Sequence, residues 1–326
     1  MSDAANRQSD LSQFGINDRP VVIETKNLQL EYGDVVAIKN FSLTIYRGEM
    51  FGIVGPDSAG KSTLIRVLCG LLKPSRGLAK VLGFNLAIES QKVKERIGYL
   101  SQEFTLYGDL TVDENIEFFA RLHSVRNFEE RREYLLKFTR LERFRNRLAQ
   151  NLSGGMKKKL ALACTLIHTP EIIFLDEPST GVDPVSRGEL WNILSGILKE
   201  GVTIVMTTPY LDEAERCQRV ALMYRGELFV ADRPEKIKSE MPGKVYDIIC
   251  HNPQMAYHRL RKRFSPLRLV LYGERLRLWT EDEREVHNVV KMIEGEMGAG
   301  CSFEVGEPTL EDAFVAYTME RNSVSN

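Results

Sequence analysis

The sequence predicts an α/β protein: a largely parallel sheet flanked by helices, followed by a small α+β unit. Short apolar runs such as Phe51-Gly52-Ile53-Val54, Ile172-Ile173-Phe174-Leu175 and Val202-Thr203-Ile204-Val205-Met206 are each bounded by Gly, Pro or charge. Strands buried on both faces need that pattern. Between the runs, segments 61–71, 113–123, 155–167 and 185–198 have the apolar spacing of helices, and such alternation argues for a parallel sheet. The composition shifts at Asp232-Arg233-Pro234 and again at Met241-Pro242-Gly243.

Three segments follow, 1–20, 21–235 and 236–326. The first is rich in Ser, Asn, Asp and Gln without periodic apolar residues and reads as a flexible lead-in. The last reads as strand 244–251, helix 253–263, strand 267–272, a Gly273-Glu274 turn, strand 275–280, helix 283–296 and strand 301–306. That βαββαβ order is the ferredoxin-like arrangement.

With 326 residues, 43% hydrophobic and 27% charged, the chain is expected to be soluble and to hold about two domains. Its 44 basic and 45 acidic side chains nearly cancel, so net charge gives no reason to expect nucleic acid as a partner. Cys69, Cys164, Cys217, Cys250 and Cys301 are scattered and odd in number, which fits a reducing cytosol better than a disulfide framework. No apolar stretch approaches the ~18 residues of a membrane span, and the first twenty residues lack a signal core.

Gly55-Pro56-Asp57-Ser58-Ala59-Gly60-Lys61-Ser62 matches the phosphate-loop pattern G-x-x-x-x-G-K-[ST], between a strand and a helix as the pattern requires. Backbone N–H groups of the loop through Thr63 and the helix N-terminus would surround phosphates, Lys61 would reach the terminal ones, and the Ser62 hydroxyl would ligate Mg²⁺. A chance match in a chain of this length is roughly one in a hundred. Ile172–Glu177 is a buried strand ending in two carboxylates; beside a phosphate loop, Asp176 would hold Mg²⁺ through water and Glu177 would polarise the attacking water. Leu152-Ser153-Gly154-Gly155-Met156 opens another helix, read as Lys157 to Ile167, with Ser153 92 positions after Lys61 and 24 before Glu177. It is a second anion-binding terminus, and one chain rarely needs two for one nucleotide.

In these motifs, over about residues 21 to 235, the sequence resembles the ATP-binding subunits of ABC transporters. The resemblance implies a P-loop NTPase core with antiparallel β and α-helical subdomains, in which the signature helix of one protomer closes over ATP and Mg²⁺ held by the other. Under it, Tyr32 matches the adenine-stacking aromatic, and Gln102 the glutamine that senses Mg²⁺ and the γ-phosphate. Ser179-Thr180-Gly181-Val182-Asp183 matches the loop that crosses the dimer interface, with Asp183 its carboxylate. The stretch Phe104 to Val112 reads either as local core or as part of the groove that grips a membrane subunit. Glu307-Pro308-Thr309-Leu310-Glu311-Asp312-Ala313-Phe314 resembles the closing motif of subunits from two-component exporters of drugs, lipids or polysaccharides. The implied partners are integral membrane permease subunits and a second ATPase subunit, in a homodimer or a heterodimer. The implied location is cytoplasmic, peripheral on the inner face of the cell membrane. The basic cluster Arg259, Arg261, Lys262, Arg263 and Arg268 reads as solvated surface, or as a contact for lipid headgroups or RNA.

Two positions depart from the family pattern. Pro209 stands where the family has a switch histidine, and proline offers no side-chain donor to developing charge. None of the histidines at 123, 168, 251, 258 and 287 is near it in sequence. In the phosphate loop, Asp57 and Ser58 replace a neutral residue and a glycine, bringing charge and backbone strain towards the phosphates. A slow own site within an asymmetric pair is one expectation; a regulatory subunit with little hydrolysis is another. A ribosome- or DNA-directed ATPase of the same superfamily fits less well, because the chain has one phosphate loop and one signature with no room for a coiled coil between them. Kinase or GTPase chemistry leaves Ser153-Gly154-Gly155 unexplained.

Overall fold

The computed structural model describes residues 15–103, 106–264, 268–297 and 300–324. Most of the expected lead-in lies outside them. Its described end forms a 3-10 turn, Ile16–Asp18, before the first strand. Contacts divide the chain into one unit ending at Ala231 and another beginning at Asp232.

In the first unit, β1 (Val21–Tyr32) and β2 (Val35–Tyr46) form a long hairpin that joins β4 (Arg76–Val81) and β5 (Phe84–Asn85) in an antiparallel sheet of order β2-β1-β4-β5. The second sheet has the order β10-β9-β3-β8-β7-β6, built from β3 (Met50–Val54), β6 (Ile97–Leu100), β7 (Ile172–Asp176), β8 (Thr203–Thr208), β9 (Arg219–Tyr224) and β10 (Glu227–Asp232). From β9 to β6 its pairings are parallel. Every residue of β3, β7 and β8 is buried, which explains their continuous apolar runs. Phe41 and Ile23 of the first sheet, Phe51 and Phe174 of the second, and Ile65 and Leu68 of the helix Lys61–Leu68 share one core.

Between β6 and β7 the chain is helical: Val112–Leu122, Glu129–Thr139 and Gly154–Leu166. Thr111 and Glu114 close a capping box at the first of these. Asn115, fully buried, donates to the carbonyls of Tyr107, Leu110 and Thr111 and accepts from the Tyr107 N–H at 3.0 Å. The expected turn-rich stretch is therefore stitched to the helix behind it over residues 107–111, while Phe104 and Thr105 lie outside the described residues. The signature helix begins at Gly154, three residues before the expected Lys157, because the Ser153 side chain already caps it by accepting from Met156 N at 3.3 Å.

The second unit has its own core. β11 (Lys244–Ile249), β12 (Leu269–Tyr272), β13 (Arg275–Thr280) and β14 (Ser302–Val305) are ordered β12-β13-β11-β14 with all pairings antiparallel, and helices Pro253–Leu260 and Glu283–Met297 complete the βαββαβ order. This is the ferredoxin-like arrangement that the sequence predicts. Arg277 bridges Asp247 (2.8 and 3.0 Å) and Asp312 (3.0 Å), which ties the final helix Leu310–Val324 to the sheet. Leu310, Ala313 and Ala316 bury one side of that helix. The basic cluster is not one uniform patch: Arg268 pairs with Glu285 and lies over Trp279, and Arg263 donates to the Met292 sulfur at 3.1 Å.

In the first unit, His123 and His168 stack at 3.9 Å with their rings 7° apart, beside Cys69, Lys94, Tyr99 and Cys164. Burial, then the neighbouring imidazole, lowers His168 to about 4, while the 2.9 Å contact with the Ile97 carbonyl opposes this. The unfolded chain therefore takes up this proton first, and the His168 contribution to stability, intact above pH 6.5, is lost as pH falls from there towards 4. The melting temperature is expected to drop over this window, and His168→Gln to flatten the drop in pH-resolved thermal melts.

Candidate functional site

β3 delivers the chain to Gly55, where a Cβ would lie 2.0 Å from the Met223 carbonyl oxygen. Only glycine fits. Gly60 turns the loop at φ +100°, with Ala37 O 2.7 Å from where a Cβ would be, and so opens the helix Lys61–Leu68. Ser58 takes φ 63°, the left-handed region that glycine adopts freely and that costs other residues about 1–2 kcal/mol. Asp57 and Ser58 are both exposed at the loop tip. Lys61 is 4% exposed and donates to the carbonyls of Gly55 at 2.8 Å and Pro56 at 2.9 Å, with Glu177 Oε1 3.6 Å from its ammonium.

The two carboxylates sit across from the loop. Asp176 Oδ1 accepts from Ser62 Oγ at 3.0 Å and from Thr207 Oγ1 at 2.7 Å, linking the phosphate-loop helix to the carboxyl ends of β7 and β8. Glu177 turns off β7 at φ 49°, its N–H donates to Thr207 Oγ1 at 3.0 Å, and its Oε2 accepts from Gln102 Nε2 at 3.0 Å and Thr180 Oγ1 at 3.3 Å. Lys158, whose pKa is lowered by burial against the pull of Glu177 and Asp176, donates to the Gln102 carbonyl at 3.2 Å. Ser62, Asp176 and Gln102 bring hydroxyl, carboxylate and amide groups together at one end of the sheet. No set of three His, Cys, Asp or Glu side chains that could cage a metal occurs among the described residues. Few protein oxygens beside phosphates suit Mg²⁺, so the donor set fits that ion.

Lys61, Ser62, Gln102, Glu177 and Thr180 line a cleft of about 740 Å³ that runs from Val35, Val36, Ala37 and Lys39 past Asp57–Thr63. Pro209 and Tyr210 form part of its wall. Behind them, Glu213 Oε2 accepts from Ser179 Oγ at 2.7 Å and Thr208 Oγ1 at 2.9 Å, and the Tyr210 N–H donates to Thr208 Oγ1 at 3.0 Å. Tyr32, at the end of β1, is about half exposed and is not among the cleft-lining residues, to which its hairpin contributes Val35 instead.

Ser153, Gly154 and Gly155 are also absent from the cleft lining. Gly154 faces open space, whereas a Cβ on Gly155 would lie 2.3 Å from Ser186 Oγ. Asp183 caps the helix Pro184–Lys199, accepting from Val185 N at 3.1 Å and Ser186 N at 3.0 Å. A hydrogen bond from the Ser186 side chain first, then those from the Ser186 and Val185 N–H groups, hold its carboxyl below the ordinary range. Nothing in the local sequence singles out Thr207, Lys39 or Arg225, which the structure places at or beside the cleft. Thr207 ends an apolar strand like many threonines, and Lys39 and Arg225 come from hairpins remote in sequence.

A family model described as ABC transporter matches residues 38–180. A probable multidrug ABC transporter ATP-binding protein of Escherichia coli (strain K12) is 41% identical over 221 residues, 67% of this chain and 38% of that protein, so the match spans less than half of that relative. A Nod factor export ATP-binding protein I of Sinorhizobium fredii (strain NBRC 101917 / NGR234) is 37% identical over 305 residues, covering 91% of this chain and 86% of that one. Among solved structures, an ATP binding subunit of an ABC transporter superposes with TM-score 0.62 at 28% identity, covering 67% of this chain and 92% of that one. A dimeric ATP-binding cassette in a post-hydrolysis state bound to ADP and Pi does so with TM-score 0.59 at 29% identity, covering 65% and 98%.

Gly55→Ala would drive a methyl group into the Met223 carbonyl, at a cost of about 1–3 kcal/mol. Denaturant unfolding is expected to show that loss, and nucleotide titration a weaker affinity in the fraction that folds.

Proposed function

The chain belongs to the ATP-binding subunits of ABC transporters, and from that premise we propose that it energises an exporter, pairing through ATP with a second ATPase subunit beneath a membrane permease. One observation carries the reading: the helix start at Ser153-Gly154-Gly155 exposes Gly154 and contributes no residue to the lining of the phosphate-loop cleft of its own chain. A helix terminus of this kind binds anions, so its natural ligand is the triphosphate held by another subunit. The dimeric state of one similar cassette supports this, and the likeness to a Nod factor export ATP-binding protein supports export. No described helix is long and apolar enough to cross a membrane, which agrees with a peripheral place on the inner membrane face and a separate permease. The unit from Asp232 onward is an accessory to the ATPase unit.

Within the cleft, the loop N–H groups of Gly55 to Thr63 and the Lys61 ammonium bind the phosphates and balance their charge. Tyr32, half exposed at the end of β1, is the aromatic proposed to stack on the base. Mg²⁺, when bound through Ser62, Asp176 and Gln102, would neutralise charge that develops on the phosphoryl oxygens. Glu177, held by Gln102 and Thr180, orients water and accepts its proton. Asp183 lies in the loop that meets the second subunit. ATP shared between two subunits favours their closed pair, and its hydrolysis removes that preference.

Pro209 sets the limit at this subunit's own site. Its position in the cleft wall gives no side-chain donor towards the phosphates, so hydrolysis here is slow. Ser153, Gly154 and Gly155 complete a faster site whose phosphate loop belongs to a different subunit, which makes the pair a heterodimer. A regulatory subunit with almost no turnover is the second reading, favoured by the same proline.

The purified chain alone is expected to hydrolyse ATP slowly. Pro209→His should raise turnover by about tenfold or more, and Glu177→Gln should remove what remains. An ordinary transporter rate in the unaltered chain, abolished by Glu177→Gln, would remove the case for asymmetry; no gain in Pro209→His would favour the regulatory reading.

Gly154→Asp faces open space and should leave the melting temperature unchanged. It places a carboxylate against the partner's triphosphate, so ATP-dependent pairing, read by light scattering with the second subunit, is expected to fail. Unchanged pairing would refute the shared-site reading.

A further inference from the structure

The pairing of β11 with β14 places two cysteines opposite one another. In this antiparallel register Ile248 faces Phe303 and Ile249 faces Ser302, so the next facing pair is Cys250 and Cys301. The Gly306 N–H donates to the Val245 carbonyl at 2.9 Å, which makes residues 245 and 306 a hydrogen-bonded pair. Alternation along the ladder then makes 250 and 301 a non-hydrogen-bonded pair, the type in which Cα atoms stand about 4.5 Å apart and side chains are closest. In agreement, the Cys301 N–H is directed not across the strands but to Glu294 Oε1, at 3.2 Å.

Both side chains point to the same face. Cys250 and Cys301 pack against the cluster of Tyr246, Ile248 and Val289 under the helices, and their thiols are hydrogen-bonded to each other. A disulfide needs Cα atoms about 4.4–6.8 Å apart with converging Cβ vectors, and the non-hydrogen-bonded position to which the register extends, about 4.5 Å between Cα atoms, falls within that range. Cys69, Cys164 and Cys217 are buried, whereas Cys250 and Cys301 are partly exposed and open to a small oxidant.

We infer that Cys250 and Cys301 form a reversible cross-strand disulfide by exchange with a low-molecular-weight disulfide such as oxidised glutathione. The Cys250 thiolate attacks one sulfur of the oxidant, forms a mixed disulfide and releases one thiolate. Cys301 then loses its proton and attacks Cys250 Sγ, forming the intramolecular bond and expelling the second thiolate. The two cysteine sulfurs are oxidised, the oxidant is reduced to two thiols, and the two cysteine protons pass to the expelled thiolates or to solvent.

The order follows from the environment. Burial raises both thiols, but the hydrogen bond with Cys301 favours the ionised form of Cys250, while Cys301 is pushed up to about 11 by burial and its thiol neighbour. Exchange therefore quickens as pH rises. The bond would lock β14 to β11 in the oxidised state and release it in the reduced one. The inference stands on the strand register and is independent of the proposed transport role.

The test uses the folded full chain in oxidised glutathione, followed by alkylation, digestion and mass spectrometry. The expected result is a linked peptide joining Cys250 to Cys301, a mass loss of about 2 Da reversed by dithiothreitol, and alkylation confined to the other three cysteines. Cys250→Ser and Cys301→Ser should each lose the link and carry a single glutathione adduct on the remaining cysteine. Separate adducts on both cysteines of the unaltered chain, alkylation of both, or a link that appears only after denaturation would each overturn the inference.

Discussion

A parallel sheet buried on both faces leaves its strand ends as the place for charge, and the rest of the first unit follows from that constraint. β3, β7 and β8 carry no exposed residue, so their polar groups collect where the strands end. There the Asp176 carboxylate takes hydroxyl hydrogen bonds from Ser62 and Thr207, fastening the phosphate-loop helix to both neighbouring strands. A buried carboxylate would be costly without those partners. The groups that satisfy it also fix the loop in which Lys61 is held.

The same edge shows how a chemical position can change without loss of the frame. Around Pro209 the wall of the cleft is held by Thr208, Ser179 and Glu213, and none of those hydrogen bonds involves residue 209. A proline there is compatible with the turn because none of the hydrogen bonds that hold it needs an N–H at residue 209. Pro209 offers the cleft no side-chain donor, while the support behind it is in place. Ser58 is a departure of another kind: it keeps the glycine-like backbone and accepts the cost of a left-handed φ.

The second unit depends on a separate arrangement. Arg277 is 5% exposed and satisfied by two aspartates, one in the sheet and one at the start of the final helix. Removing either aspartate would leave a buried charge underpaired, which is far more costly than the pair is stabilising. Thr309 N and Oγ1 also donate to Asp312, at 2.9 and 2.8 Å, so the segment around Pro308 both caps the helix and fixes it to the sheet. A motif that the sequence associates with an exporter subclass thus has a structural task within its own unit.

The sequence by itself determined the elements whose pattern is local: the buried strands, the strand, loop and helix around Lys61, the βαββαβ order, and the departures at Asp57, Ser58 and Pro209. Each needs a short window, because burial, glycine conformation and helix capping act over a few residues. The final helix Leu310–Val324 was not legible as a helix, since its narrow buried side of Leu310, Ala313 and Ala316 resembles ordinary sequence. Only the tertiary structure brought Gln102 to Glu177, Thr207 to Asp176, Val35 to the cleft and Cys250 opposite Cys301. Those meetings arise from strand order and register, set by packing between residues far apart in the chain, and no local spacing encodes them.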